Sequence, residues 1–351
     1  MINLTTKYSN KIDERFKLQS VTDAFAGKDY DWDGSKSIII YSIDKVGITD
    51  YNRNASSNRF GVARELGDTV QTMTLSQDKA ATFTIDRGNN ADQLNIKNCN
   101  RKVKEVWDEE AVPEIDMYRL KRWANGAGTV NINATALTKS TVISAIVAAN
   151  TALSNAKVPK KDRVCFIGET QYANILLSSE FIAVEKLGEK SIANGVTGKI
   201  GQAYICPVPD DYLPSGVVFL MKWKNATADP MKLKTLRVQE NPVGIDGDVG
   251  ELRYYHDSFV KGNKAMGIYV HATAATALPE ASIASNAVTL TCSGATIRYT
   301  DDGSNPKTSD TAKTYSSAIT ITQDTVIKAY ASKSGGIDSG ILTYNAVYSN
   351  S

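Results

Sequence analysis

Between residues 70 and 87 apolar and polar positions alternate, with Met73, Leu75, Phe83 and Ile85 on one side and Thr72, Thr74, Thr82 and Thr84 on the other. A period of two marks a strand with one apolar face, and Ser76-Gln77-Asp78-Lys79 interrupts it, so the pattern predicts an extended hairpin. A lone hairpin is only marginally stable in water. No other segment is an obvious cover for this one, so its stripe is expected to rest on a neighbouring copy of the chain. The pattern is that of a building block rather than a catalyst.

Helical periodicity follows. Over 99–124, Cys99, Val103, Val106 and Trp107 share a face that Met117, Leu120 and Ala124 continue. Pro113 lacks a backbone donor and disfavours helix at Val112, which predicts a kink or restart there. A second helix begins at Thr138 as N-cap, carries Val142, Ala145, Ile146, Ala149, Leu153 and Ala156, and stops at Val158-Pro159. Arg163–Ile167 reads as a buried strand, and Thr170–Ser178 as a short helix with Tyr172, Ile175 and Leu176 inward. Val217–Met221 and Leu233–Val238 are further strands. Residues 1–272 are thus expected to be an α+β body with a projecting arm.

The composition changes near residue 272. All four tryptophans and both histidines precede it, and 273–351 is dense in Thr, Ser and Ala. Ala272–Pro279 reads as a linker. Beyond it, 288–292, 296–300, 318–321 and 325–330 are short alternating strands between turn clusters, which predicts a small all-β sandwich of immunoglobulin-like shape.

Charge and chemistry narrow the function. Lys+Arg 40 against Asp+Glu 38 leaves a net charge of +2, far from the basic excess of a nucleic-acid reader. Cys99, Cys165, Cys206 and Cys292 form no CxxC and read as buried thiols of a reducing compartment. No apolar core of signal-peptide length opens the chain, and no 18 apolar residues run together, so a soluble protein made in the cytoplasm is expected.

Candidate sites resolve into structural readings. Asp29–Gly34 reproduces the start of a calcium loop, yet Ile40 stands where the bidentate Glu belongs, so a turn into Ile38-Ile39-Ile40 is expected. Gly244-Ile245-Asp246-Gly247-Asp248 reads as a tight turn rather than a metal pair. His256 and His271 have no Ser or Cys nucleophile pattern nearby, so His256 is expected to be packed or interfacial. Gly195–Lys199 lacks the spacing of a phosphate loop. Arg119-Leu120-Lys121-Arg122 reads as a solvated or inter-subunit charge patch. No catalytic residue, metal or cofactor is expected.

Taken in order, several strings resemble the tailed-bacteriophage major capsid (coat) protein family, whose fold is shared by encapsulins and the herpesvirus capsid floor. They are Tyr51-Asn52-Arg53 with Arg59-Phe60-Gly61, Phe83–Asp86, Val112–Arg119, Asn241–Gly247, Tyr254-Tyr255 with Asp257–Val260, and Gly267–His271. The tail resembles the immunoglobulin-like module at the C-termini of chitobiases and hexosaminidases, through 295–306 and 325–331.

The resemblance implies an N-arm at 1–50, an extended loop at 51–90, a peripheral domain from 91–160 and 236–272, an axial domain at 161–235, and the module at 273–351. Inter-subunit contacts would fall on Arg59, Met73, Leu75, Lys79, Phe83 and Ile85. Pro113, Glu114, Asp116, Tyr118 and Arg119 would form the spine-helix motif. The implied function is a virion shell of hexamers and pentamers around double-stranded DNA, without sequence-specific contact. A separate scaffolding protein and a portal are its implied partners, and the covalent crosslinking known in some members is not carried over. For the tail, adhesion to host surface glycans, stabilisation and tolerated insertion all stand open. The alternatives are a secreted carbohydrate-binding protein and an encapsulin-like compartment.

Overall fold

The computed structural model describes residues 19–28, 36–43, 50–54, 56–60, 68–92, 97–178 and 198–349, with Tyr30, Trp32, Ile48, Ala63 and Glu65. The string Asp29–Gly34 and the string Gly195–Lys199 lie mostly outside them, and residues 1–18 of the expected N-arm lie wholly outside them.

The body is organised on a six-stranded mixed sheet whose order is 129–132, 268–272, 217–223, 163–168, 203–208 and 198–200. Strand Arg163–Gly168 is buried along its whole length, as its unbroken apolar run requires of a strand covered on both faces. Val164 and Phe166 pack on one side against Leu120 and Trp123 of the long helix. Cys165 and Ile167 pack on the other against Val142, Ile146, Ala149 and Leu153 of the helix Val142–Asn155. Thr141 rather than Thr138 stands at the N-cap position of that helix, without a side-chain capping bond, and the Thr138 carbonyl accepts the amides of Thr141 and Val142. In the following helix, Glu169–Leu176, Ile175 is inward as expected, but Leu176 is exposed.

The long helix is continuous yet irregular. Residues Cys99–Val106 and Val112–Asn125 are α-helical, and Trp107–Ala111 between them is π-helical. Pro113 sits in the first turn of the second segment, where its missing donor is tolerated, and the widened turn before it absorbs the irregularity. On one side of this region lies a three-stranded antiparallel sheet ordered 231–240, 247–256, 77–86. Its Leu252 and Tyr254 pack on Trp107, Ala111 and Ile115. Gly250 is required there, because a Cβ would stand 2.4 Å from the Phe83 ring. The 241–247 segment is the tight turn expected, with Asn241, Gly244 and Gly247 at positive φ.

The predicted hairpin over 70–87 does not form. Asp68–Thr74 pairs with Ser37–Ile43, whereas Gln77–Asp86 pairs over its full length with Gly247–His256. The two strands of the expected hairpin therefore belong to different sheets, joined through Leu75 and Ser76. Met73 and Leu75 are also covered by their own chain, in a cluster with Trp32, Ala228 and Phe259. Periodicity identified strands correctly but says nothing about partners, and here the partners come from residues 37–43 and 247–256.

The tail is a two-sheet sandwich: 280–284, 287–291 and 319–320 face 313–314, 296–300, 325–332 and 342–346. Val288, Leu290, Ile297, Ile327 and Ala329 fill it. The segment expected as a linker is packed. Thr276 is buried and donates its amide to Ile337, and Ile337 itself enters the body's core beside Ala275 and Ile341.

Within the body lies a fully buried ion pair, Lys222 and Asp229, with Nζ and Oδ2 4.0 Å apart. Lys222 donates to Thr227 Oγ1 at 2.7 Å and to the Phe25 carbonyl at 3.1 Å, and stands 3.5 Å over the Trp123 ring. Asp229 accepts from Trp123 Nε1, Ser258 Oγ, Thr227 Oγ1 and the Gly27 amide. Burial pushes Lys222 down to about 7, against the pull of Asp229. For Asp229 burial acts upward, but Lys222, Arg119 and the hydroxyl donors outweigh it and hold its carboxyl below the usual value. Removing one member strands the other, so Asp229→Ala is expected to cost about 3–5 kcal/mol in urea denaturation.

Candidate assembly surface

The polar residues of the long-helix motif reach three places: Asp116 and Arg119 the segment 20–22, Glu114 the paired strands at Lys79 and Tyr254, and Tyr118 the carboxylate of Asp257. Asp116 is buried and accepts from Ser20 Oγ at 2.8 Å, Thr22 Oγ1 at 2.5 Å and the Val21 amide at 2.9 Å, tying residues 20–22 to the helix. Burial raises its carboxyl, and these donors oppose the rise. Arg119 donates to Thr22 Oγ1 at 3.0 Å and is buried, as is Leu120, so the expected solvated patch is reduced to Lys121 and Arg122. Glu114 accepts from Tyr254 Oη at 3.1 Å and pairs with Lys79 at 3.7 Å, fastening strand 77–86 to the helix. Pro113 shapes the turn from which Glu114 projects.

Tyr118 completes the set. Its hydroxyl donates to Asp257 Oδ1 at 2.7 Å, and the same carboxylate accepts the Ser76 amide and hydroxyl, each at 2.8 Å. Tyr255 Oη donates to the Leu75 carbonyl. The crossover from one sheet to the other is thus riveted on both residues. His256, beside it, is buried between the Tyr118 and Tyr254 rings, with Nε2 3.6 Å from Glu114. Burial lowers its pKa, with Glu114 opposing. His271 stacks on Phe219. Among the described residues no three His, Cys, Asp or Glu side chains converge as a metal site. Cys165 and Cys206 are buried, and desolvation pushes Cys206 up to about 12, where a thiolate nucleophile is not available.

Outward from this root runs the two-stranded ribbon 37–43 with 68–74. Its inner face is Ile38 opposite Met73 and Ile40 opposite Gln71. Its outer face carries Ile39, Tyr41 and Ile43, which are 53%, 65% and 72% exposed, opposite Thr72, Val70 and Asp68. Near the tip, Tyr51 and Phe60 meet edge to face at 4.9 Å, and the Arg59 carbonyl accepts the Asn52 amide. Three large apolar side chains thus stand exposed in one row along strand 37–43.

Of the residues expected between subunits, Met73 and Leu75 are interior, Phe83 and Ile85 are half-buried, Lys79 is engaged by Glu114, and Arg59 is exposed. The exposed stripe was missed at the sequence level. Its signal was present: Ile38–Tyr41 is apolar on both parities, so covering one face leaves the other open.

Residues 279–343 match the family model of the chitobiase/beta-hexosaminidase C-terminal domain. About three quarters of the chain aligns with solved phage structures: one from Mycobacterium phage Che8 at TM-score 0.61 and 15% identity, covering 76% of this chain and 96% of that one. The capsid of Cyanophage P-SCSP1u aligns at TM-score 0.60 and 13% identity, covering 77% and 93%. The mature capsid of bacteriophage PhiM1 aligns at 0.58 and 10%, covering 77% and 92%.

The body has the phage capsid fold.

No curated protein matches the chain. At these identities the likeness is one of architecture. Within the capsid fold, the buried and exposed faces of the ribbon should respond differently to substitution. Met73→Ala is expected to lower the stability of the chain by about 2–5 kcal/mol in thermal denaturation, whereas Tyr41→Ser should stay within about 0.5 kcal/mol.

Proposed function

We propose that this chain is the major capsid protein of a tailed bacteriophage, with copies in hexamers and pentamers closing an icosahedral shell around double-stranded DNA. The observation that carries the reading is the outer stripe Ile39, Tyr41 and Ile43, exposed on a two-stranded ribbon of a capsid-fold body. A stripe of this kind is stable when a neighbouring copy covers it, and each such overlap adds a modest contact that multivalency makes collectively hard to undo. The net charge of +2 suits a wall that encloses DNA neutralised by counterions and does not grip it. A scaffolding protein and a portal are the partners such a shell takes during assembly. Adhesion of residues 273–351 to host sugars would have to use loops other than 301–310, since Asn305 and Lys307 bond to the body.

The rival within the same fold is a compartment around protein cargo. Co-expression with the genomic neighbours, followed by electron microscopy and nuclease-protection of the particle contents, separates the two. Protected DNA is expected, and protein-filled shells would favour the compartment. Replacing Ile39, Tyr41 and Ile43 together by Asp is expected to leave a folded, soluble chain with no particles in size-exclusion chromatography. Particles of normal size from that variant would remove the ribbon from the assembly contact.

A further inference from the structure

The immunoglobulin-like module meets the body through built contacts rather than a tether. Lys307 passes out of the sandwich and donates to the carbonyls of Asn125 at 2.7 Å and Ala127 at 2.9 Å, the last groups of the long helix and its exit turn. Helix C-terminal carbonyls lack intrahelical donors and lie at the negative end of the macrodipole, so a cation is the group that suits them. Asn305 donates to the Gly262 carbonyl at 2.9 Å, while Gly262 in turn gives its amide to Gln71 of the ribbon. Thr72 of the ribbon donates directly to Asp310. On the other flank, the Ile341 amide bonds to the Gly128 carbonyl.

Two glycines record how close this approach is. A Cβ on Gly262 would lie 2.4 Å from Thr308 Oγ1, and one on Gly340 would lie 3.1 Å from the Gly128 carbonyl oxygen. The body and the module are shaped to each other at both places.

We propose that the module acts as an internal brace, its 301–310 loop holding the end of the long helix, the turn around Gly262 and the root of the ribbon in one relative position. The role concerns the single chain and does not depend on the proposed shell. It gives the module a task in the ribbon's aim, where a tolerated appendage would have none.

Amide hydrogen–deuterium exchange on the full chain tests it. Lys307→Met keeps the aliphatic stem and removes the donor. Exchange in segments 122–132, 258–264 and 68–74 is expected to quicken by about tenfold or more, with the sandwich core at 325–332 still protected. Lys313→Ala, which removes only an exposed pair with Asp301, should change none of them. Quickening confined to 301–310 would overturn the proposal. Should Lys307→Met open the sandwich itself, Asp310→Ala decides, because Asp310 is exposed and can be lost without unfolding the module. Faster exchange at 68–74 then supports the brace, and unchanged exchange there refutes it.

Discussion

Lys222 and Asp229 are both fully buried, and the chain is folded around the need to keep them together. A charge in that setting is tolerable only with its counter-ion and a full set of hydrogen bonds. The groups that supply them come from the strap at Phe25 and Gly27, from Trp123 on the long helix, from Thr227, and from Ser258. Satisfying one pair of charges therefore gathers these parts of the body. It also places the ribbon. Ser258 turns inward to Asp229, while its neighbour Asp257 turns to Ser76 and Tyr118. Two consecutive residues thus connect the central charge to the root of the ribbon.

Much of the body was legible because its signals are local. The unbroken apolar run at 163–168, the 3–4 spacing from Val142 to Leu153, and Pro113 within the long helix each dictate a conformation without reference to distant partners. The sandwich strands were equally plain. What local pattern cannot carry is pairing. Asp68–Thr74 and Gln77–Asp86 both read as strands, but their partners lie about thirty residues upstream and about 170 downstream. Ser76–Lys79 looked like a hairpin turn, but Gln77–Lys79 continue the second strand and the chain crosses between sheets at 75–76. Met73 and Leu75 consequently face their own chain, and the unmet apolar face belongs to Ile39, Tyr41 and Ile43 instead.

The spine-helix motif shows a different limit. Each of its residues was flagged through a resemblance, which says that they matter but not what they touch. The contacts are specific and divergent: Asp116 to the strap, Glu114 to the edge strand, Tyr118 to the crossover. Asp257, the residue that gathers the last of these, lies in one of the strings that carry the resemblance, but the string does not say that it holds Ser76 and Tyr118. The tail makes the same point. Its string at 301–306 identifies the module, and only the fold shows that Asn305 and Lys307 are spent on the body.

Strand 77–86 has a mechanical consequence. It is registered residue for residue against 247–256, from Gln77 opposite His256 to Asp86 opposite Gly247. Tension arriving from the ribbon enters at Gln77 and, when it runs along the strand, loads the whole ladder in shear. Bonds strained in parallel yield at a far higher force than bonds peeled open singly. The strand that continues from the ribbon's root is thus held by a ladder whose bonds would share such a load.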